Sequence, residues 1–326
     1  MPFHHDIDAL KVLLLSLSAL DQGARIPVSK LARRLKLGRD IIEYRIDRLM
    51  RQGVIRRFTA TINPYKLGFQ IYKIYLRLDA HGSKLNSMMR SLKSHSRLMW
   101  IGQCDGSWSL MIGLLARSAE EAYELERELL GEFNRLIVAS TTSLLVKTRA
   151  YQRAFLLPRA APSYFEIGGN LQQLDLDIYE RGLIRLLAQH ARSTLQSLAQ
   201  ALECSVDMID TRIERLEKLG IITGYRVELD LARLGMVFVK AMLQLRQRTA
   251  EEESRLESFC ARSGVVGYFI RQFGAYPIEL ELEVGSYDHF YKFIDDLREH
   301  FPGLIRNVDS IFLRNEEYRW LLEDRH

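Results

Sequence analysis

Residues 44–55, YRIDRLMRQGVI, return 167 positions later as residues 211–222, TRIERLEKLGII. The two stretches share apolar positions at helical spacing, a pair of arginines and a helix-ending glycine. At the same offset, Leu31-Ala32 coincides with Leu198-Ala199, and Lys66-Leu67-Gly68 with Arg233-Leu234-Gly235. Self-similarity of this kind indicates duplication. We therefore expect two copies of one unit, at residues 1 to about 156 and about 173 to 326.

The segment between the two copies, residues 157–172, holds two prolines, two glycines and no periodic apolar pattern, which is typical of a linker. Within each copy, helical periodicity gives way to strand alternation. The sequence thus predicts five segments: a helix-turn-helix domain at 1–64, an α/β domain at 65–156, the linker at 157–172, a second helix-turn-helix domain at 173–231 and a second α/β domain at 232–326.

The first third of unit one predicts three helices, at about 6–20, 30–37 and 40–52, from apolar residues spaced three and four apart. Pro27 and Ser29 favour the start of the second helix, with Ser29 as its N-cap, and Gly38 separates it from the third. Residues 54–62 alternate as a strand of a β-hairpin. This order is typical of a winged helix-turn-helix, whose third helix enters the major groove of DNA.

Positive charge is concentrated in the same segment. Between Gly23 and Arg57, eleven Lys or Arg residues stand against three acids, a net charge of +8 in a chain whose total is +5. Phosphate neutralisation supplies most non-specific DNA affinity, so this segment favours a nucleic-acid surface over a merely solvated basic helix. The residues expected to contact DNA are Ser29, Lys30, Arg33, Arg34, Arg39, Tyr44, Arg45 and Arg48 on the helices, and Arg56 and Arg57 on the wing.

Unit two repeats the pattern without the charge. Residues 190–224 hold four Lys or Arg and five acids, a net charge of −1. Its third helix carries Asp207, Asp210, Glu214 and Glu217, which phosphates repel. We expect this second winged helix to bind DNA more weakly, or to serve in structure and dimerisation.

The remainder of each unit predicts the order βαββαβ, a ferredoxin-like α/β domain, so the fold class is α+β in tandem duplication. Two helices cover one face of such a sheet. The other face needs a partner, which the sheet of a sister unit would supply.

Catalytic and metal sites are not indicated, because the eight histidines are scattered and Gly-rich phosphate loops are absent from the sequence. We expect no enzyme activity, no metal and no cofactor. Cys104, Cys204 and Cys260 are far apart and predict isolated thiols. The sequence has no signal-peptide pattern and no apolar run near the roughly 20 residues that span a bilayer, so a cytoplasmic location is expected.

The motifs together resemble the leucine-responsive regulator (Lrp/AsnC) family. They are Arg45-Ile46-Arg48-Leu49, Gly53-Val54-Ile55 and Asn63-Pro64-Lys66-Leu67-Gly68 in unit one, and Arg212-Ile213-Arg215-Leu216 with Gly220-Ile221-Ile222 in unit two. The resemblance implies a sequence-specific transcription regulator that binds double-stranded DNA. It also implies RAM-type α/β domains that pair sheet to sheet, in a homo-oligomer or in a pseudo-dimer formed by one chain.

The same resemblance implies a small effector, such as an amino acid, bound near the turn after the second strand of the α/β domain. Carried over to this sequence, the effector residues would be Gly102, Gln103, Asp105 and Gly106 in unit one, and Gln272 and Gly274 in unit two.

Two alternatives remain. Residues 55–58 followed by Lys66-Leu67-Gly68 also resemble sirohaem decarboxylases, enzymes built on related domains. Such an enzyme would need His and Arg in the α/β cleft. The turns offer Asp105 in unit one and Arg271 in unit two, with no neighbouring His. The second alternative is a ligand sensor that does not bind DNA.

Overall fold

The computed structural model describes residues 24–80, 82–153 and 164–318. The helix expected at 6–20 lies outside this range. Unit one begins with α1 (Val28–Leu35), α2 (Arg39–Arg51) and β1 (Ile55–Ile62). Unit two begins with α5 (Ile178–Gln189), α6 (Leu195–Ala201), α7 (Val206–Lys218) and β7 (Ile222–Leu229). The helix-turn-helix order predicted from the repeat is confirmed.

The start of α1 corrects one prediction. Pro27 is the N-cap, with φ −57°, and no side chain caps the helix. A proline's fixed φ suits the entry to a helix. Ser29 is therefore the second residue of α1 and not its cap, and its side chain is exposed.

One hydrophobic core serves both helix-turn-helix units. It contains Leu31, Ile42 and Ile46 of unit one together with their repeats Leu198, Ile209 and Ile213. Two reciprocal hydrogen bonds cross between the units. Arg25 donates to the carbonyl of Ala191, and Arg192 donates to the carbonyl of Ala24.

The strands that follow α2 and α7 pair with each other and so join the two units. β1 pairs antiparallel with β7, with Phe58 opposite Val227. The prediction of a β-hairpin within unit one is therefore wrong, because the partner of β1 is a strand of unit two. An isolated two-stranded hairpin is marginal in water, whereas pairing the two strands with each other places both over the shared core.

Each α/β domain has the predicted order. Unit one contains β2 (Gln70–Leu78), α3 (Gly82–Ser94), β3 (Leu98–Asp105), β4 (Leu110–Ala116), α4 (Ala119–Gly131) and β5 (Ile137–Tyr151). Unit two contains β8 (Val237–Leu245), α8 (Ala250–Arg262), β9 (Val266–Phe273), β10 (Ile278–Val284), α9 (Tyr287–His300) and β11 (Ile305–Tyr318).

These eight strands form one closed sheet, in the order β2-β4-β3-β11-β8-β10-β9-β5, with β5 returning to β2. The β3–β11 and β5–β9 pairs join the two units. The expected sister sheet thus comes from the same chain, which is a pseudo-dimer. Side chains such as Tyr75, Trp100 and Ile311 fill the interior of the closed sheet.

The predicted linker is not wholly irregular. β6 (Tyr164–Gly168) lies within it and pairs with the end of β5, from Lys147 to Tyr151. Its backbone bonds were not visible in the sequence because its partner strand is set by the tertiary fold. Among the described residues, no helix is long and apolar enough to cross a membrane.

Candidate nucleic-acid interface and central cavity

The outer side of unit one presents a basic surface, here called the α2 surface: Lys30 and Arg33 of α1 with Arg39, Tyr44, Arg48 and Arg51 of α2. All six side chains are exposed. Arg39 pairs with Glu43, one helical turn away, at 2.9 Å, and both side chains remain exposed to solvent. Tyr44 is 59% exposed, so its side chain mostly faces solvent and does not pack in the core.

The other expected DNA residues on the helices are placed differently. Arg45 is half-buried, and its buried Nη1 forms no hydrogen bond to any described residue. The side chain of Arg34 lies outside the described part of the structure.

Arg56 and Arg57, expected on the wing, face unit two. Arg57 donates two hydrogen bonds to Glu228, at 2.7 and 2.8 Å, and a third to the carbonyl of Tyr318 in the closed sheet. Arg56 pairs with Asp230 at 3.2 Å. These carboxylates lie 171 and 174 residues away, and the cross-unit β1–β7 pairing brings them to the arginines.

In unit two, the arginines equivalent to Arg45 and Arg48 both form ion pairs with residues of α5 or its N-cap. Arg212 pairs with Asp177, the N-cap of α5, at 2.8 Å, and Arg215 pairs with Glu180. The solvent side of α7 presents Asp207, Asp210, Glu214 and Glu217, all exposed. The two helix-turn-helix units therefore share a fold and differ in the charge that they present.

The expected effector residues lie at the end of the closed sheet distant from β1 and β7, and they do not line one cavity. Asp105 is exposed and pairs with Arg314. Gln103 borders a groove of about 530 Å³ beneath α3. Gln272 is buried and accepts a hydrogen bond from Tyr75 at 2.8 Å.

The glycines of this set are required by packing. A Cβ at Gly102 would lie 2.6 Å from Leu313 and 2.7 Å from the Trp100 ring. Gly274 has φ +156°, and a Cβ there would lie 2.2 Å from Ser143. Gly106 likewise sits against the backbone of Ser310, at the junction between the units.

A buried charge network, not anticipated from the sequence, occupies the interior of the closed sheet. Lys73 and its repeat Lys240 both bind Glu279, and Lys240 also binds Glu281. Lys240 lies 4.6 Å from the Trp100 ring centroid. Burial alone would raise the pKa of Glu279, but the two ammonium groups outweigh it and hold that pKa at about 2.

The two lysines differ. Burial lowers the pKa of Lys73 from its ordinary value, and its contact with Glu279 offsets this only in part. Burial acts in the same direction on Lys240, but two carboxylates outweigh it and raise its pKa. Lys240 is thus the cation on which the network depends.

A cavity of about 760 Å³, here called the central cavity, separates the β1–β7 pair from the near end of the closed sheet. Thr59, Thr61 and Val227 contribute to one wall, and Phe238 and Tyr268 to the other. Its charged lining is Arg56, Arg57, Arg153 and Arg226 with Glu228, Glu281, Glu283, Glu316 and Glu317.

The described ranges contain neither a cluster of metal ligands nor a disulfide bond. They contain no group of three or more potential metal ligands, and Cys104, Cys204 and Cys260 are free thiols. Burial raises the pKa of Cys104 to about 12, so this thiol is unreactive at neutral pH.

Comparison with known proteins agrees with the repeat. Residues 176–223 match a family model described as winged helix-turn-helix DNA-binding. An uncharacterized HTH-type transcriptional regulator of Pyrococcus abyssi is 30% identical over 143 residues, which is 43% of this chain and 88% of that protein. LrpA of Pyrococcus horikoshii is 24% identical over 133 residues, 41% of this chain and 94% of LrpA.

Among solved structures, the siroheme decarboxylase NirDL is similar over 94% of this chain and 91% of its own, with a TM-score of 0.62 and 11% identity. At that identity the likeness shows a common two-unit fold and does not bear on activity. The sequence relatives each cover about one unit of this chain. The chain belongs to the Lrp/AsnC family of HTH-type transcriptional regulators, with two units of that family in one polypeptide.

Proposed function

We propose that this chain is a sequence-specific DNA-binding transcription regulator that contacts duplex DNA mainly through the α2 surface of unit one. The observation that carries the proposal is the exposed basic face of a recognition helix, with Arg48 and Arg51 forming no ion pair to any described residue. Such a face suits the major groove, where arginine bonds guanine edges and phosphates.

Within this proposal, residue roles follow from position. Ser29, Lys30 and Arg33 on α1 contact the phosphate backbone, while Arg39, Tyr44 and Arg48 on α2 reach base edges or phosphates. Arg45, half-buried, positions the helix. Arg56 and Arg57 are left out of the contact set, since carboxylates of unit two hold them.

Unit two completes the assembly. Its recognition helix carries exposed carboxylates and arginines engaged in ion pairs, so it does not share the phosphate contacts. It supplies half of the shared core and half of the closed sheet. Because α2 is the only recognition helix that contacts DNA in this proposal, one chain is expected to bind a single half-site and not a palindrome. A cytoplasmic location, where the DNA lies, is part of the proposal, as is assembly into larger homo-oligomers.

A second candidate is an enzyme acting on a tetrapyrrole, the class of activity named for NirDL, whose fold this chain shares over 94% of its length. The chemistry of the central cavity opposes it. A tetrapyrrole carrying several carboxylates would meet five glutamates there, and Arg57 and Arg153 are already paired with Glu228 and Glu283. His190, the histidine of the lining, has an exposed side chain. We therefore favour the regulator.

Purified chain titrated with random-sequence duplex DNA at several salt concentrations tests the proposal. Four or more phosphate contacts predict that affinity falls about a hundredfold between about 50 and about 200 mM salt. A parallel titration with sirohaem is expected to give no stoichiometric coloured complex. Salt-independent or undetectable DNA binding contradicts the regulator, and a stoichiometric tetrapyrrole complex supports the enzyme.

A further inference from the structure

The central cavity has the size and position of a ligand site. Its volume, about 760 Å³, falls in the range of small-molecule pockets, about 300–1,000 Å³. It lies at the end of the closed sheet opposite to the turns at Gly106 and Gly274. Its two walls come from different parts of the fold, the β1–β7 pair and the α/β strands.

Glu316 is the acid of this cavity that the fold does not balance. Trp100 Nε1 donates a hydrogen bond to its Oε2 at 3.2 Å. No cation among the described residues forms an ion pair with Glu316. By contrast, Arg57 pairs with Glu228, Arg153 with Glu283, and Lys240 with Glu281.

The surroundings of Glu316 penalise its negative charge. Burial, followed by repulsion from Glu281, raises its pKa to about 7, and the more distant Lys240 offsets this only in part. The charges that act on Glu316 are Glu281 on β10, Lys240 on β8 and Glu228 on β7. The other charged and titratable groups of the cavity are Arg56, Arg57, Arg153, His190, Arg226, Tyr268, Glu283, Glu317 and Tyr318. A positive group placed in the cavity beside Glu316 would offset both effects by attraction.

Aromatic side chains complete the chemistry. Phe238, Tyr268 and Tyr318 line the same cavity. Cations of the protein already lie over two of these rings, Arg226 at 4.5 Å from the Tyr268 centroid and Lys240 at 5.9 Å from the Phe238 centroid. Aromatic rings beside a carboxylate form the environment in which proteins bind ammonium groups. An anionic ligand that bound Arg57 or Arg153 would have to displace Glu228 or Glu283.

We propose that the central cavity binds a small organic molecule carrying a protonated amine, with Glu316 as its counter-ion. The ligand would touch Thr59 and Thr61 of β1, the strand that follows α2 directly after Gly53. Occupancy would therefore bias the position of α2 relative to the closed sheet. This coupling to DNA rests on the proposed function, whereas the amine site itself does not.

Calorimetric titration of the full chain with benzylamine, and with benzyl alcohol as the neutral isostere, tests the site. We expect benzylamine to bind at least tenfold more tightly than the alcohol. Glu316→Gln should weaken benzylamine binding about tenfold or more, while Glu299→Gln, a change at an exposed position on α9, should leave it unaltered. Equal binding of amine and alcohol, or an unchanged affinity in Glu316→Gln, overturns the proposal.

A proton count requires no variant and covers the case in which Glu316→Gln fails to fold. The amine needs the ionised carboxylate, and Glu316 with a pKa of about 7 is half protonated at pH 7. Titrations in two buffers of different ionisation enthalpy should show about half a proton released per amine at pH 7. Affinity should fall as the pH drops below 7. Binding without proton release contradicts the assignment to Glu316.

DNA titration with and without benzylamine separates this inference from the proposed function. Amine binding by a chain that binds no DNA would support the site and overturn the regulator. DNA binding by a chain that binds no amine would do the reverse. A shift in DNA affinity of at least threefold on adding amine is expected, and no shift contradicts the coupling.

Discussion

Lys240→Met is expected to lower the free energy of unfolding by about 3–5 kcal/mol, the usual effect of removing one partner from a buried ion pair. Lys240 binds both Glu279 and Glu281 inside the closed sheet, and its side chain is 1% exposed. Methionine fills a similar volume without charge, so the loss reports the carboxylates and not a cavity: Glu281 loses its ion-pair partner, and Glu279 keeps only Lys73. Urea denaturation followed by circular dichroism measures it.

The acid dependence of the same variant gives an independent check. Because the folded-state pKa of Glu279 is lowered to about 2, the stability that it contributes is present above its unfolded-state pKa, near 4.5. That stability is lost as the pH falls from about 5 towards 2. The variant lacks the part of this contribution that Lys240 supplies, so its deficit should narrow below about pH 4.5.

Two further variants sharpen the test. Lys292→Met, at an exposed position on α9, should change stability by less than about 0.5 kcal/mol. Adding Glu281→Gln to Lys240→Met should restore part of the loss, because one buried charge is removed. A Lys240→Met protein as stable as the parent at pH 7 would show that the network is not needed for the fold.

The second large effect is expected at the α2 surface. Replacing Lys30, Arg33, Arg48 and Arg51 together by alanine should weaken binding to duplex DNA by about a thousandfold at about 0.1 M salt. Each lost phosphate contact should also reduce the log–log salt slope by about 0.9. All four side chains are exposed, so folding should be unaffected. Fluorescence anisotropy over a salt series provides both quantities.

A charge-matched control isolates position from net charge. Arg255, Arg262, Lys292 and Arg306 are exposed cations on the α/β domain of unit two. Their joint replacement by alanine removes the same charge and should change DNA affinity by less than about threefold. Equal losses in both quadruple variants would mean that overall charge, not the α2 surface, drives binding.

Most of the fold could be predicted because its elements are set by local patterns. The order βαββαβ predicted for unit two is the observed one, with β8 at Val237–Leu245, β10 at Ile278–Val284 and α9 at Tyr287–His300. The tandem repeat then predicted that two sheets would pair, and they do so within one chain. The partners of β1 and β6, in contrast, depend on tertiary contacts between units, which periodicity does not encode.

The charged groups in and near the closed sheet were harder to predict than the fold. Residues 278–284, IELELEV, alternate as a strand with one solvated face, yet Glu279, Glu281 and Glu283 are all buried. The closed sheet covers that face and supplies Lys73, Lys240 and Arg153 as partners. A lysine at the centre of each apolar strand, residues 70–78 and 237–245, was the signal available in the sequence.

The arginines of β1 show a limit of counting charge along the sequence. Arg56 and Arg57 continue the basic segment and so were expected to contact DNA. Their partners Asp230 and Glu228 belong to the other unit, and only the β1–β7 register brings them together. A net charge counted along one segment of sequence does not include carboxylates that the fold places beside it from a distant segment.

The internal repeat allows a direct measurement of which unit meets DNA. Tyr44 on α2 and Thr211 on α7 occupy the same position of the two recognition helices, and both are exposed. A photoreactive phenylalanine analogue placed at either position can be irradiated in the presence of bound duplex. We expect an efficient protein–DNA cross-link from position 44 and little from position 211. A cross-link of equal or greater yield from position 211 would contradict this expectation.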